Sequence, residues 1–194
     1  MLLYLASANS HKAAEIEAIA GSQISIISMS MLGDFDDLPE TQLSIAGNAI
    51  QKAQTLHSLT KVNCFADDTG LMIKALNGRP GVHSARYAGP NRDSQANIEL
   101  VLRQLEHEGN RAAYFETVIA LVLEGNLSTF RGRIDGTIAK SPVGDGGFGY
   151  DSIFIPNGYD QSFAQMNAEL KNRISHRALA LASFMEYLRT SLSS

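Results

Sequence analysis

Apolar residues recur along the first half of the chain with spacings that alternate between those of strands and those of helices. Residues 2–6 and 24–29 are short apolar runs, which are typical of buried strands. Residues 10–21 and 43–60 instead carry apolar residues three and four positions apart, which predicts amphipathic helices. The predicted inward side chains are Ile16, Ile19 and Ala20 in the first helix, and Ile45, Ala49, Ala53 and Leu56 in the second.

The centre of the chain predicts a third strand with two acidic residues at its end. The apolar residues 64–66 lead into Asp67 and Asp68, and an extended run resumes at 71–76. The glycine- and proline-rich segment 77–90 predicts an ordered loop. Because a buried carboxylate is costly without compensation, the two acids require a cationic partner.

The second half predicts a helix at 93–106 and then a long β-hairpin. Its strands would be residues 112–123 and 127–138, with a two-residue turn at Gly125-Asn126. Three further segments are predicted, namely a glycine-rich loop at 141–149, a short strand at 151–155 and a helix at 175–191. Early alternation of strands and helices, followed by a hairpin, predicts the α/β class with a central mixed β-sheet flanked by helices.

Composition narrows the classes of protein that fit. Hydrophobic residues make up 44% of the 194 residues, enough for a sizeable core. The net charge of −4 argues against a nucleic-acid coat protein. Cys64 is the single cysteine, so neither an intramolecular disulfide nor a cysteine zinc site is expected. Apolar runs such as 118–123 are far shorter than the roughly 20 residues that span a bilayer, so we expect a cytoplasmic protein without a membrane partner.

The segment SANSHK, residues 7–12, lies at a predicted strand-to-helix junction. Free backbone N–H groups and the helix dipole make such a junction a natural anion site, and Lys12 adds a cation to the first turn. The alternative is that Ser10 merely caps the helix and Lys12 is solvated. The segment has no Walker-type spacing.

The segment ADDTG, with LPET upstream at 38–41, is a candidate metal site. Mg²⁺ prefers oxygen ligands and usually takes one or two carboxylates from the protein. Since consecutive side chains of a strand diverge, Asp67 and Asp68 are not expected to bind one ion symmetrically, and Glu40 is a plausible second ligand. The alternative is a turn in which Asp67 and Thr69 bind local backbone.

The glycine-rich segment GDGGFGYD, residues 144–151, could hold a planar ligand. Its glycines allow close approach of a ligand, and Phe148 and Tyr150 offer faces for stacking on a base. Asp151 could accept hydrogen bonds from ring N–H groups. The alternative is a turn whose two aromatic rings pack into the core.

The segment KNRISHR, residues 171–177, is a basic cluster in an acidic protein. A cation such as Arg177 near a helix N-terminus is disfavoured by the helix dipole, which suggests an anionic partner. Alone, His176 would more often be structural. Together, the four segments predict a phosphate site, an acidic metal site, a stacking loop and a basic clamp, as a nucleotide requires.

These residues resemble a known family. The chain resembles the inosine triphosphate pyrophosphatase family, whose motifs it matches in order at SANSHK, LPET, NAIQKA, FADDTGL, RPGVHSARYAG, GGFGYDSIF and KNRISHRALA. The matches span residues 7–180. The resemblance implies one elongated, two-lobed domain over residues 1–194, with an active-site cleft between the lobes, and a homodimer. It also implies Mg²⁺-dependent hydrolysis of ITP, dITP and XTP to the monophosphate and pyrophosphate.

The resemblance further implies which residues form the site. Those that grip the triphosphate would be Ser7, Ala8, Asn9, Ser10, His11, Lys12 and Lys52. Glu40 and Asp68 would hold the metal, Asp68 would also be the general base, and Thr69 would contact the substrate. Those that hold the base and sugar would be Phe148, Gly149, Tyr150 and Asp151, with Lys171, His176 and Arg177 closing over the purine. Asp67 is expected to be mainly structural, with both acids at the cleft mouth.

Two positions depart from the family pattern. Gly47 replaces an acidic residue in or beside the expected metal site, and Ser152 stands where a proline is usual. The alternative of a nucleotide-binding protein that has lost turnover through Gly47 therefore stays open. LASANS also resembles the opening of Maf-type nucleotide pyrophosphatases, but SHR and GFGYD argue against that assignment.

Overall fold

The computed structural model describes residues 1–7, 9–20, 24–33 and 38–192. Predictions that fall on Ala8, Gly21 and residues 34–37 lie outside the described residues. In the described part, seven strands form one mixed sheet in the order β2-β1-β3-β5-β6-β7, with β4 paired to β3. The strands are β1 (Leu2–Leu5), β2 (Ser25–Ser28), β3 (Cys64–Ile73), β4 (Pro80–Gly81), β5 (Ala112–Leu123), β6 (Asn126–Ile138) and β7 (Phe154–Pro156).

Parallel and antiparallel pairings are both present in this sheet. Strand β1 pairs in parallel with β2, where Leu3 lies opposite Ile26, and with β3, where Leu5 lies opposite Phe65. Strands β3–β4 and β6–β7 pair antiparallel. The helices of the described ranges are α1 (Ser10–Ala20), α2 (Ile45–Thr60), α3 (Ser94–Gln104), α4 (Ala168–Ile174) and α5 (His176–Leu192). The predicted α/β class with a mixed sheet and flanking helices is confirmed.

The chain divides into two compact units, each made of separate segments. Unit 1 comprises Met1–Asp68, Thr117–Gly132 and His176–Ser194. Its core contains the inward faces of β1, β3, α1 and α5. The rings of Phe65 and Phe130 both pack against Phe184, at centroid distances of 5.2 and 5.5 Å. The predicted inward residues Ile16 and Ala20 of α1 are buried there, as are Ala49, Ala53 and Leu56 of α2 within the same unit.

Unit 2 comprises Thr69–Glu116 and Arg133–Ser175. Its core is built around Phe115, Phe154 and Phe163, whose ring centroids lie 4.7 to 6.4 Å apart. Arg111 fastens the start of β5, because its guanidinium donates to the backbone carbonyls of Ile138 and Ala139. Each unit therefore buries its own apolar cluster.

The structure corrects three predicted boundaries. Strand β3 runs without a break through Asp67 and Asp68, so these acids lie inside the strand and not at its end. The hairpin turn is Glu124-Gly125 and not Gly125-Asn126, with φ of 50° and 80°, because a two-residue turn of this kind needs two positive φ angles. The predicted helix at 175–191 is α5, which begins one residue later at His176; the short helix α4, which ends before the extended Ser175, was not predicted.

Candidate active site

The first turn of α1 is fixed by side-chain caps. The Asn9 Oδ1 atom accepts from the Lys12 N–H at 3.1 Å, and the Ser7 Oγ atom accepts from the Asn9 N–H at 3.2 Å. Asn9 is therefore the N-cap, whereas Ser10 is the first residue of the helix and lies exposed, as does His11. This arrangement leaves Lys12 with its side chain directed at β3, so the solvated lysine of the alternative interpretation is not observed.

Asp67 is fully buried and is surrounded by cations. Its Oδ2 atom accepts from the Lys12 ammonium at 3.1 Å and from the Arg177 guanidinium at 3.3 Å. Arg177 also pairs with Glu15 of α1. The anionic partner that the position of Arg177 suggested is thus found inside unit 1. Two buried cations and one fully buried carboxylate hold α1, β3 and α5 together.

Lys52 of α2 bridges the other acidic groups of this cluster. Its ammonium donates to Glu40 Oε1 at 2.9 Å and to the backbone carbonyl of Asp67 at 2.8 Å, and lies 3.5 Å from Asp68 Oδ1. Lys52 lies on the buried side of α2, one position before Ala53. The structure therefore brings together Lys12, Lys52, Glu40 and Asp68 of the predicted site. We name Lys12, Lys52, Arg177, Glu15, Glu40, Asp67 and Asp68 the ion cluster.

The expectation that both acids lie outside the core is wrong, whereas the cation expected to face Asp68 is present. The exposed fraction is 0% for Asp67 and 8% for Asp68, and both belong to the buried polar residues. Consecutive residues of a strand point to opposite faces, so the two carboxylates meet different cations. Asp67 pairs with Lys12 and Arg177, while Asp68 pairs with Lys52. Compensation by these cations, and not access to solvent, makes both acids tolerable.

Burial and neighbouring charges shift the pKa values of the two acids in opposite directions. Burial raises the pKa of the Asp68 carboxyl, although the Lys52 ammonium opposes the shift. Burial acts the same way at Asp67, but Lys12, Arg177 and Lys52 outweigh it and hold the pKa of that carboxyl below its usual range. Asp68 is thus the better proton acceptor of the pair, and Asp67 is a permanent negative charge.

The two lysines also differ. Burial lowers the pKa of Lys12, with Asp67 opposing and the neighbouring cations Lys52 and Arg177 adding to the shift. For Lys52, burial acts in the same direction, but the carboxylates of Asp68 and Glu40 outweigh it and raise its pKa. The pKa of Lys12 falls despite its ion pair because burial, assisted by the charges of Lys52 and Arg177, outweighs the attraction of Asp67.

The chemistry of the acidic groups fits a divalent cation with few protein ligands. Asp68 Oδ2 is buried and has no hydrogen-bond partner among the described residues. Glu40 retains a side-chain exposure of 26%. Within the described ranges no three metal-ligating side chains group together, and the two carboxylates that share Lys52 are Glu40 and Asp68. Mg²⁺ commonly binds one or two carboxylates, completing its shell with phosphate oxygens and water.

Gly47 does not leave a gap in the ion cluster. The nearest atoms to a Cβ placed on Gly47 belong to Gln42 at 2.7 Å and Ser44 at 3.0 Å. Ser44 caps α2 by accepting from the Gly47 N–H at 3.0 Å. A larger residue would need the Gln42 side chain to move, so glycine here is explained by local packing.

In unit 2, the glycine-rich loop is ordered around Asp151. Its Oδ2 atom accepts from the Lys171 ammonium at 2.7 Å and from the Phe148 N–H at 2.8 Å. The same ammonium lies 5.2 Å from the centroid of the Phe148 ring. Gly147 must be a glycine, because a Cβ there would lie 2.1 Å from Asp151 Oδ2. Phe148, Asp151 and Lys171 are thus brought together as predicted.

Tyr150 does not present a stacking face. Its ring is 5% exposed and its hydroxyl donates to the Ser84 carbonyl at 2.8 Å, so it belongs to the core of unit 2. Burial also raises the pKa of the Tyr150 hydroxyl. The prediction of two stacking rings is therefore wrong for Tyr150, and only the half-buried Phe148 has ring surface for a ligand. Gly149 adopts a φ of 60°, and nothing lies within 4 Å of the position of its Cβ.

The residues of the predicted basic clamp are divided between the two units. Lys171 lies in α4 of unit 2, whereas His176 and Arg177 open α5 and belong to unit 1. All three are buried, with exposed fractions of 6%, 4% and 2%. Thr69 lies half-buried in β3, directly after Asp68. Sequence reasoning missed Glu15, whose only signal was its position one turn after Lys12 on α1.

The fold and the site define an α/β protein with a mixed sheet, a capped strand–helix junction and a buried cluster of lysines and carboxylates. The chain belongs to the Ham1 family, whose family model matches residues 3–187. The resemblance predicted from the sequence is thereby confirmed.

Similar proteins extend over nearly the whole chain. A dITP/XTP pyrophosphatase of Porphyromonas gingivalis is 46% identical over 187 residues, covering 96% of this chain and 96% of the relative. The protein of the same name from Flavobacterium johnsoniae is 44% identical over 188 residues, covering 97% and 98%. The structure of the Staphylococcus aureus Ham1 protein superposes with a TM-score of 0.89 at 35% identity, covering 98% of this chain and 100% of that one. None of the helices in the described ranges has the length and apolar content that a bilayer crossing requires.

Proposed function

We propose that this protein hydrolyses the non-canonical purine nucleoside triphosphates ITP, dITP and XTP to the monophosphate and pyrophosphate. The observation that carries the proposal is the ion cluster, in which two lysines meet the three carboxylates of Glu40, Asp67 and Asp68. The names of the full-length relatives, dITP/XTP pyrophosphatase, support the same reaction. The two units would act as one pyrophosphatase domain.

The triphosphate would bind at the start of α1. Lys12 lies in the first turn of this helix, and the backbone N–H groups and dipole of a helix N-terminus favour an anion. The three donors of Lys52 face Glu40, Asp68 and the Asp67 carbonyl, so a phosphate oxygen would replace one of these acceptors, and the 3.5 Å contact with Asp68 is the longest of the three. The residues assigned to phosphate binding are Ser7, Ala8, Asn9, Ser10, His11, Lys12 and Lys52.

Glu40 and Asp68 would hold Mg²⁺, which neutralises phosphate charge when bound. Asp68 would take a proton from the attacking water as that oxygen bonds to the α-phosphorus. The bond from the α-phosphorus to the bridging oxygen then breaks, and pyrophosphate leaves with the bonding electrons. Lys12 and Lys52 stabilise the charge that collects on pyrophosphate. The buried Asp68 Oδ2, which has no partner among the described residues, is the atom we assign to the proton, since Oδ1 faces Lys52.

The base would bind through unit 2. The Phe148 ring would stack on the purine, and the Gly149 and Tyr150 backbone would line it, with Asp151 and Lys171 beside the ring. A keto oxygen at C6 accepts hydrogen bonds, whereas the amino group of adenine donates, so cationic donors there disfavour ATP. His176 and Arg177 are assigned to the same recognition by the resemblance, and Thr69 to a substrate contact. Arg177 would then have to keep its ion pairs with Asp67 and Glu15 or exchange them.

A nucleotide panel tests the reaction. ITP, XTP, dITP, GTP, ATP and TTP are incubated with the protein and Mg²⁺, and pyrophosphate and orthophosphate are measured separately. We expect pyrophosphate from ITP, dITP and XTP, and its loss on chelation of the metal. Direct release of orthophosphate would refute the cleavage position, and binding of ITP without turnover would favour the alternative of a non-catalytic nucleotide-binding protein.

Asp68→Asn tests the general base. The variant keeps the size of the side chain, so we expect a folded protein whose kcat falls by about 10² or more. Asp135→Asn is the matched control, because its carboxylate pairs with Arg133 at an exposed position. Asp68→Asn activity within about tenfold of the wild type would rule out Asp68 as the base.

The same proposal includes a homodimer in the cytoplasm. Light scattering of the purified protein measures its mass in solution, and a monomer would refute this part without affecting the reaction.

A further inference from the structure

Residues 40–42, the loop segment that carries Glu40, each make a hydrogen bond to a side chain of α2. Glu40 accepts from the Lys52 ammonium, Thr41 bonds to Gln51, and Gln42 bonds to Asn48. Three consecutive loop residues thus meet three side chains on the first two turns of α2. Since residues three and four apart share one helix face, Asn48, Gln51 and Lys52 form a single row.

Gln51 makes the most specific of these contacts. Its Oε1 atom accepts from the Thr41 N–H at 2.9 Å, and its Nε2 atom donates to Thr41 Oγ1 at 2.9 Å. Only a side-chain amide offers one acceptor and two donors on a single planar group. One loop residue is therefore held through both its backbone and its side chain.

Asn48 adds a second tether one position further along the loop. Its Oδ1 atom accepts from the Gln42 N–H at 2.9 Å, and Asn48 itself is 3% exposed. Gly47 makes this close approach possible, because a Cβ there would lie 2.7 Å from Gln42 Cβ. The absence of a side chain at position 47 and the tether of residue 42 are thus two parts of one local arrangement.

The ion pair with Lys52 does not fix Glu40 by itself. The contact with Lys52, whose side chain is 7% exposed, holds the end of the Glu40 side chain and does not by itself restrain the backbone of the loop. A carboxylate on a loop must also be held against the conformational entropy of its backbone. Hydrogen bonds to the next two residues supply that restraint on the chain that carries Glu40.

We propose that Gln51, assisted by Asn48, is a positioning residue that holds residues 40–42 on α2 and so keeps the Glu40 carboxylate beside Asp68 for a divalent cation. This role rests on the proposed function of Glu40 as a metal ligand. Gln51 touches neither substrate nor metal, and acts through Thr41 on the residue before it.

The test compares three variants at one helix face. Gln51→Ala removes both bonds to Thr41. Gln54→Ala is the matched control, because Gln54 lies three residues later on α2, is exposed, and undergoes the same change in helix propensity. Gln51→Glu is the conservative variant, because a carboxylate oxygen accepts from both the N–H and the hydroxyl of Thr41.

Two measurements on the metal-free and nucleotide-free protein separate the steps. Hydrogen exchange of the Thr41 amide reports the tether, and titration with Mn²⁺ alone, followed by electron paramagnetic resonance, reports the metal site. In Gln51→Ala we expect Thr41 exchange to accelerate about tenfold, the effect of losing two exposed hydrogen bonds, and the Kd for Mn²⁺ to rise about fivefold. Gln54→Ala should match the wild type in both, and Gln51→Glu should restore slow exchange.

Unchanged Thr41 exchange in Gln51→Ala would refute the tether. Accelerated exchange with an unchanged Kd for Mn²⁺, or no Mn²⁺ binding by the wild type, would refute the positioning role. Neither measurement uses nucleotide, so a wild type that binds Mn²⁺ and releases no pyrophosphate would refute the proposed function alone.

Discussion

Replacing Asp67 by Asn tests whether the ion cluster is held by charge. The side chain keeps its size and an oxygen acceptor, so the change removes one negative charge and little else. Asp67 is fully buried, with Lys12 at 3.1 Å and Arg177 at 3.3 Å from the same carboxylate oxygen. Both cations would stay buried while losing their shared counter-charge.

The expected cost follows from that geometry. Breaking a buried ion pair by removing one partner destabilises a protein by about 3–5 kcal/mol. Arg177 keeps its ion pair with Glu15, and this limits the cost. We therefore expect the free energy of unfolding to fall by about 3 kcal/mol, which corresponds to a Tm lower by about 6–12 °C in a chain of this size.

Urea unfolding at pH 7 measures the difference, with Asp135→Asn as the control. The Arg133–Asp135 pair is exposed, with side-chain exposures of 45% and 51%, so the control should lose less than about 1 kcal/mol. If Asp67→Asn also stays within about 1 kcal/mol of the wild type, the claim that charge compensation holds this cluster is refuted.

The pH dependence of the same pair of proteins gives a second check. The folded-state pKa of Asp67 lies below its unfolded value, so its stabilisation is present above about pH 4. It is lost as the pH falls through the folded-state pKa. The difference between wild type and Asp67→Asn should therefore persist from pH 5 to 8 and shrink only below about pH 4. A difference that vanishes by pH 6 would contradict this sign.

Three further predictions concern the two units separately. Because burial raises the pKa of Asp68, the acid limb of kcat/KM should have an apparent pKa above about 4, and a limb at or below that value would exclude Asp68 as the titrating base. Phe148→Ala should raise KM for ITP about tenfold or more, because stacking on the ring is lost. Tyr159→Ala removes an exposed ring and should leave KM unchanged. Equal effects of the two substitutions on KM would refute stacking on Phe148. Gly149→Ala should lower the free energy of unfolding by about 1–2 kcal/mol, because a φ of 60° is unfavourable for a residue with a Cβ. Gly109→Ala should leave the free energy of unfolding unchanged, and thermal unfolding measures both variants.

The periodic elements of this fold follow directly from the sequence. The helical spacing of residues 43–60 predicts the buried face that α2 presents, and Ile45, Ala49, Ala53 and Leu56 are all buried. Such patterns are informative because the apolar face of a helix must be covered. The hairpin was predicted one residue late, because Glu124 gives no local signal that it adopts a positive φ.

The long-range part of the site could not be predicted in the same way. Strand β3 continues through Asp67 and Asp68 because cations from three helices compensate them, and no local pattern reveals partners 55 and 110 residues away. The resemblance supplied the residues of the site but not their burial. Tyr150 illustrates the difference, since its motif suggests a ligand contact while its side chain completes a core.

The Lys52 ammonium neutralises the carboxylates of Glu40 and Asp68 without a bound metal ion. Its ammonium already joins Glu40, Asp68 and the Asp67 carbonyl, so the acidic groups do not depend on solution conditions for their neutralisation. Folding and cation loading are then separate events, unlike in small domains whose structure collapses under a chelator. The protein should accordingly stay folded in EDTA, and the proposed turnover should return when Mg²⁺ is added back.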